Sequence, residues 1–301
     1  FSEEGCVFMQ KANKKFQFIL TALFTVICLL TIFPFLLTVS VSISNEGDIV
    51  KYGYSVFPKN IDFSAYKYIF RNYWTILNAY KVTAIFSFSA MFLGVMLMSM
   101  IAYALSRKDM KGGNVISFFL YFTMLFSGGL VPTYILITQY LHLNDTIWVY
   151  ILPGLISPWY VFMIRTFFKN IPGEIIEAVM LDGASEFTIY SKIVVPLSKP
   201  VLATVALFMF LANWNDWYNS MLYINDESLI SLQYLLQRIM QNITLLQENS
   251  MNMSSFLDDM KIPSETVRMA MAVVVAGPAL LIFPFFQKYF VQGLTIGGVK
   301  G

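Results

Sequence analysis

Charge is the scarcest commodity in this chain. Of 301 residues, 20 are Lys or Arg and 18 are Asp or Glu, so 13% are charged, roughly half the share of an ordinary soluble domain. Histidine occurs once, as His142, and cysteine twice, as Cys6 and Cys28. One histidine and two distant cysteines supply no metal-ligand spacing, no redox pair and no nucleophile–base constellation. A net charge of +2 gives no support for nucleic-acid binding. A phosphate-binding loop is missing too. It requires Lys after the second glycine, whereas Gly293 to Lys300, the nearest match, has Val299 there and no preceding strand. ATP hydrolysis by this chain is therefore not expected.

What is abundant is apolar surface. The composition is 57% hydrophobic, with 28 Phe, and the mean hydropathy is +0.64. Charges bound six apolar segments: 16–44, 82–106, 114–138, 146–164, 200–224 and 269–286. Each is long enough to cross a bilayer. Lipid-exposed backbone must satisfy its own hydrogen bonds, so the segments predict helices and the fold class is an all-α integral membrane protein. Phe16–Ser44 is too long for a cleaved leader, and the chain starts at Phe1 rather than Met, so a few residues are expected to precede it.

Basic residues set the expected orientation. With segment 1–15 in the cytoplasm, Lys11, Lys14 and Lys15, then Arg107, Lys108 and Lys111, then Arg165, Lys169, Lys192 and Lys199, and finally Lys288 and Lys300 share that side. Lys51, Lys59, Lys67, Arg71 and Lys81 lie in the first outside loop and oppose the assignment. The predicted domains are a cytoplasmic N-terminal segment 1–15, a six-span body 16–286 and a cytoplasmic tail 287–301. Pro34, Pro132, Pro153, Pro158, Pro278 and Pro284 interrupt the spans, as does Gly128-Gly129, and such positions are expected to break helices.

Two loops carry information. Loop 165–199 reads as a helix-turn-helix on the cytoplasmic face. Pro172 and Glu174 mark a helix start, Gly183 stops it, and Ser185 caps a second helix over 186–193 that Pro196 ends. Loop 225–268, outside, places Leu232, Leu235, Leu236, Ile239, Ile243 and Leu246 at helical spacing with polar residues opposite. That predicts an amphipathic helix, lying on the membrane, packing on span ends or offering a docking surface.

Glu177-Ala178-Val179, three residues, Gly183, nine residues, then Ile193-Val194-Val195-Pro196 resembles the EAA loop of ABC-importer permeases. The spacings match, and Val179 and Val195 depart from the family's Ala and Leu by small apolar changes. Ala102 to Arg107, Asn213 to Trp217, and Gln287 to Leu294 with the tail Val299-Lys300-Gly301 extend the likeness to carbohydrate-type permeases. Among these the chain looks most like the maltose-permease inner-subunit type and its LplC/YtcP-like branch.

The resemblance implies the six-helix type I importer fold, in a bacterial cell membrane with both termini cytoplasmic. It also implies a coupling helix seated in a cleft of a separate ATPase. Glu177 would contact a basic group there, Gly183 would permit the tight turn, and Ala178, Val179, Asp182, Ile193 and Pro196 would complete the coupling residues. The implied partners are a second homologous permease, two ATPases holding ATP and Mg, and an external substrate-binding protein. This chain would bind no cofactor itself. The substrate would be a carbohydrate, an oligosaccharide by resemblance to that branch.

Asp216 is the one acid inside a predicted span. Counted from Pro200 it lies about 24 Å along a helix, near the outer edge of a hydrocarbon core. It suits either a helix-end role or a place on the substrate path. Asn213, Trp214, Asn215, Trp217, Tyr218 and Asn219 surround it with the aromatic rings and amides that sugars bind. Ion-coupled secondary transport of a small polar solute is the competing reading, and a membrane scaffold a third. The first would call for acids nearer the midplane, and the second leaves the EAA spacing unexplained.

Overall fold

In the computed structural model, residues 14–252 and 264–297 are described. The segments 1–13, 253–263 and 298–301 lie outside that range, so Lys11, Cys6 and the tail residues Val299 and Lys300 are not placed. Among the described residues the fold is entirely helical apart from one antiparallel bridge, Ser44–Ile61.

The principal helices are α1 (Lys14–Ser42), α2 (Tyr73–Ser106), α3 (Gly113–Leu125), α4 (Pro158–Lys169), α5 (Gly173–Leu181), α6 (Lys199–Trp214), α7 (Leu232–Asn252) and α8 (Ser264–Gly297). Two helical stretches, Phe16–Ser42 and Ser64–Ser106, are each long and apolar enough to cross a membrane. Two further pairs qualify only when each is taken as one bent span: α3 with Leu130–Tyr140, bent by 114°, and Glu186–Leu197 with α6, bent by 81°.

Proline predicted the breaks only in part. Pro34 sits inside continuous α1, and Pro278 and Pro284 inside continuous α8. The third segment breaks at Gly129, whose φ of +84° favours glycine. The fourth divides into Trp148–Ile151 and α4, with Pro158 in the first turn of α4, where its missing N–H costs nothing. The fifth stops at Trp214 and restarts at Tyr218. Membrane helices tolerate proline, and here a Gly-Gly pair and a polar Asn-Asp run interrupt the helix where those three prolines do not.

The chain divides into two units, residues 1–71 with 243–274 and residues 72–242 with 275–301. In the first, α1 exposes its apolar side chains from Phe16 to Leu36. Glu46, the first acid after α1, serves the opening of α8. One of its carboxylate oxygens accepts from the Ser264 and Glu265 N–H groups at 3.2 and 3.0 Å, the other from Thr266 N and Oγ1 at 2.9 and 2.8 Å. A carboxylate at a helix N-terminus satisfies orphan donors and opposes the dipole.

The second unit is built on α2. Its buried face includes Ala79, Val82, Thr83, Phe86, Ser87, Ala90, Gly94, Met98, Ser99 and Ala102, singly or in adjacent pairs that recur every three or four residues. Small residues dominate this stripe because membrane helices associate by close packing rather than by a hydrophobic drive. Gly94 marks the tightest approach. A Cβ there would overlap the Met209 methyl of α6 and lie 2.8 Å from the Leu155 carbonyl oxygen. Backbone does not yield as a side chain does, so Gly94→Val is expected to destabilise the protein by about 1–3 kcal/mol. Thermal unfolding of the purified protein in detergent should show a lowered midpoint; an unchanged one would refute this packing.

Candidate functional site

The 165–199 loop folds as two helical pieces around Gly183. Helix α5 opens at Gly173 with Glu174 in its first turn. It closes in a Schellman arrangement: Gly183 N donates to Met180 O at 3.0 Å and Ala184 N to Val179 O at 3.3 Å. This closure needs a left-handed residue after the helix, which L side chains resist, and Gly183 has φ +79°. Ser185 Oγ then accepts from Thr188 N at 3.3 Å and caps the next piece.

Here the expectation of a helix ended by Pro196 is corrected. The helical run continues from Glu186 through a π-type turn at Tyr190–Val194 and on to Leu197. The widened turn sets Pro196 in the first turn of the following piece, where its absent N–H is not required.

Each piece has two faces. Ile176, Val179 and Ala184 pack with buried Ile189 and Val194 against a core of Met98, Ala102, Leu105, Val161, Ile164 and Val205, drawn from α2, α4 and α6. On the other side Glu177, Ala178, Asp182 and Gly183 are exposed, as is Pro196. Ile193 is half-buried. Leu181, which the motif did not single out, is 90% exposed at the apex. The predicted coupling residues thus separate: Glu177, Ala178, Asp182 and Gly183 face outward, whereas Val179 faces the core.

A polar clasp ties this loop to α2. Glu186 accepts from Arg107 Nη2 at 3.0 Å and from the Tyr103 hydroxyl. Ser99 Oγ and Tyr190 OH share a hydrogen bond of 2.7 Å. Arg107 also meets Asp109 at 3.3 Å. The ties to Glu186 and Tyr190 join residues 79 to 91 positions apart and have no local sequence signal. A cavity of about 570 Å³ lies beside the clasp, lined by Arg107, Lys169, Ile176, Glu177 and Met180 among others.

The second site surrounds the interruption after α6. Asp216 accepts from Asn219 N at 3.0 Å and Asn219 Nδ2 at 2.7 Å, which holds the start of the Tyr218–Tyr223 helix. Ser231 Oγ donates to the Asp216 carbonyl at 2.8 Å, and Gln233 Nε2 to Asn215 Oδ1 at 2.8 Å. The first turn of α7 is thereby fastened to the interruption, and Leu232 N donates to Thr83 Oγ1 of α2 at 2.9 Å. Leu232, Leu235 and Leu236 are buried, so the apolar face at this end of α7 packs on protein.

A cavity of about 360 Å³ opens there, lined by Asn213, Asn215, Asp216, Trp217, Tyr218 and Asn219 together with Tyr150, Gly154 and Tyr160. Trp214 is the exception among the predicted path residues. It is 3% exposed, its Nε1 donates to Val275 O at 3.2 Å, and its ring packs on Phe210 and Tyr80. Helical rotation explains this, since Trp214 lies four residues after buried Phe210. Tyr150 and Tyr160 come from the fourth segment, 53–69 positions before Asn213–Asn219, a distance that no local sequence pattern bridges. Among the described residues no cluster of three metal-binding side chains occurs.

Near this end, Asp145 accepts from Asp226 N at 2.9 Å and from the Asn225 N–H. The Asp226 N–H first, then that of Asn225, hold its carboxyl below the ordinary carboxylate value. A lowered pKa adds stability above the ordinary carboxylate range, and that stability is lost as pH falls through the lowered value. Asp145→Asn should flatten this acid limb of the unfolding midpoint against pH; an unaltered limb would discount the bond.

An all-helical chain whose long helices are apolar, and whose polar loop is two-faced, is built as a membrane transport subunit. No protein-family model matches the chain. Protein LplC of Bacillus subtilis (strain 168) is 35% identical over 272 residues, 90% of each chain. The polygalacturonan/rhamnogalacturonan transport system permease protein YtcP of the same organism is 35% identical over 292 residues, 96% of this chain and 99% of the relative. In a crystal structure of a bacterial ABC transporter involved in import of the acidic polysaccharide alginate, one chain superposes with a TM-score of 0.77. It is 27% identical, and the match covers 93% of this chain and 98% of that one. The chain belongs to the permease family of binding-protein-dependent carbohydrate ABC importers.

Proposed function

We propose that this protein is one permease half of an importer that moves an oligosaccharide into a bacterial cell by alternating access, driven by two separate ATPase subunits. A second, homologous permease and an external binding protein complete the assembly. The observation that carries this reading is the two-faced α5. Ile176 and Val179 pack toward the span core while Glu177, Ala178, Leu181 and Asp182 lie exposed. A rigid element embedded in the spans on one side and open to a partner on the other can convert a partner's movement into helix movement.

On this reading 16–286 forms six spans with both termini cytoplasmic, and segments 1–15 and 287–301 flank them in the cytoplasm. The 165–199 loop is the coupling element and faces the ATPases. Glu177 meets a basic group of the ATPase cleft, with Ala178, Asp182, Gly183, Ile193 and Pro196 shaping the contact and Val179 anchoring α5 on the span core. The cavity around Asp216 lies on the substrate path. Trp217 and Tyr218 present exposed rings for stacking on sugar faces, and Asn213, Asn215 and Asn219 offer amides. Loop 225–268 faces the binding protein.

Cysteine substituted at Ala178, in a membrane preparation holding the assembled importer, should cross-link to a P-loop ATPase. Cross-linking only to other membrane proteins would overturn the reading. Trp217→Ala should lower sugar uptake about tenfold, since stacking on a single aromatic ring contributes on the order of 1 kcal/mol or more. Unchanged uptake kinetics would remove the cavity from the path.

A further inference from the structure

Three apolar helices reach a common level at one cavity. Helix α2 ends there at Ser106, α3 begins at Gly113, and α4 ends at Lys169. The cavity has a volume of about 270 Å³, and four cations line it: Arg107, Lys108, Arg165 and Lys169. Gly112, Gly113 and Asn114, at the opening of α3, form another part of its wall. No acid lines it.

The cations differ in how they are engaged. Arg107 pairs with Glu186 and Asp109. Among the described residues no carboxylate pairs with Lys108, Arg165 or Lys169. Arg165 donates from Nε to the Leu105 carbonyl oxygen at 2.9 Å, which fixes the side chain at the cavity. Like charges gathered in a small space repel, and an anion bound among them offsets that repulsion. The opening of α3 adds donors of its own: Gly112 provides no side-chain cap, Gly113 N reaches Met110 O only at 3.5 Å, and the next N–H groups, of Asn114 and Val115, lack an intrahelical acceptor.

The surface next to the cavity is apolar. Directly after Asn114, α3 exposes Val115, Phe118 and Phe119 at 59, 61 and 61%. A ligand matched to both features has an anionic oxygen-rich head and a hydrocarbon tail.

We propose that this cavity binds the phosphate headgroup of an anionic phospholipid, with an acyl chain lying along the Val115–Phe119 surface of α3. The inference rests on the reading that these helices cross the membrane. Basic pockets between spans are suited to such headgroups. The lipid would brace the 107–112 loop against the end of α4, and because Arg107 also clasps Glu186, it would steady the 165–199 loop.

The test is native mass spectrometry of the assembled importer, extracted from nanodiscs of phosphatidylcholine with or without phosphatidylglycerol. The wild type is expected to retain phosphatidylglycerol and not phosphatidylcholine. Arg165→Gln with Lys169→Gln should weaken retention roughly thirtyfold, each basic charge at a membrane surface contributing about a fivefold factor. Lys108→Gln with Lys169→Gln removes no bond of the fold and should act to a similar degree, which guards against misfolding of the first variant. Lys111→Gln, close by but outside the cavity, should change nothing.

Equal retention in wild type and both double variants would overturn the proposal, as would an equal loss with Lys111→Gln or equal retention of phosphatidylcholine. Displacement of the lipid by millimolar inorganic phosphate would show a free-anion site instead. The readout involves no transport, so lipid retention in a protein that fails to couple to an ATPase would refute the transport reading and leave this one standing.

Discussion

Gly183→Leu is expected to abolish transport-coupled ATP hydrolysis while the importer still assembles. Gly183 has φ +79°, and a Cβ placed on it meets nothing within 4 Å. Crowding therefore does not forbid a side chain; backbone conformation resists it. A left-handed residue other than glycine costs roughly 1–2 kcal/mol, and the strain falls on the hinge between α5 and the helical run from Glu186. Leucine would also add bulk to the exposed face shared with Leu181 and Asp182. Asparagine tolerates the left-handed region better, so Gly183→Asn should keep most of the activity. Substrate-stimulated ATPase activity of reconstituted importer is the measurement. Wild-type stimulation in Gly183→Leu would contradict the role assigned to the turn. Glu177→Lys should uncouple as well, through the exposed face alone and without altering the fold.

The second large effect is expected at Glu186. Its carboxylate joins Arg107 and Tyr103 of one polypeptide stretch to the helical run after Gly183. The Arg107 side chain is 16% exposed and that of Glu186 is 52% exposed. Solvent screening reduces such a pair to about 1 kcal/mol, but Glu186→Lys does more than remove it. It sets a second cation against a largely buried guanidinium, a change that costs well beyond the lost bond. Stimulated ATPase activity should fall at least about tenfold, a difference of about 1.4 kcal/mol. Glu186→Gln, which keeps a hydrogen-bond acceptor for Tyr103, should retain intermediate activity. If Glu186→Lys and wild type hydrolyse ATP alike in the presence of substrate, the clasp is not part of the coupling path.

How much of this was legible beforehand differs from place to place. Helical class and the positions of the apolar segments follow from the distribution of charge, because a bilayer imposes length and self-satisfied backbone on any span. The tight turn at Gly183 was legible as well, since few residues adopt its backbone conformation. The interruptions after Gly128, around Pro153 and at Asn215 were harder to place. In a uniformly apolar stretch there is no polar face whose period would reveal where a helix stops. Pro34, Pro278 and Pro284 invited breaks that the helices do not make.

The sites divide along the same line. Ser185 as a cap, Glu174 in a first turn and the amphipathic pattern from Leu232 are local, and local patterns can be read. Arg107 with Glu186, Ser231 with Asp216 and Asp145 with Asn225 are joined only by tertiary folding. The orientation of Trp214 was available in principle. Its spacing from Phe210 puts it on the buried side of α6, whereas its neighbour Asn213 reaches the cavity.

The central claim is that ATP hydrolysed elsewhere drives this chain's helices. The most direct test is sugar uptake by proteoliposomes holding the complete importer, with its binding protein outside and ATP enclosed. Uptake should require enclosed ATP and the binding protein, and should persist when proton and sodium gradients are collapsed. Uptake without ATP, driven by either gradient, would contradict the account.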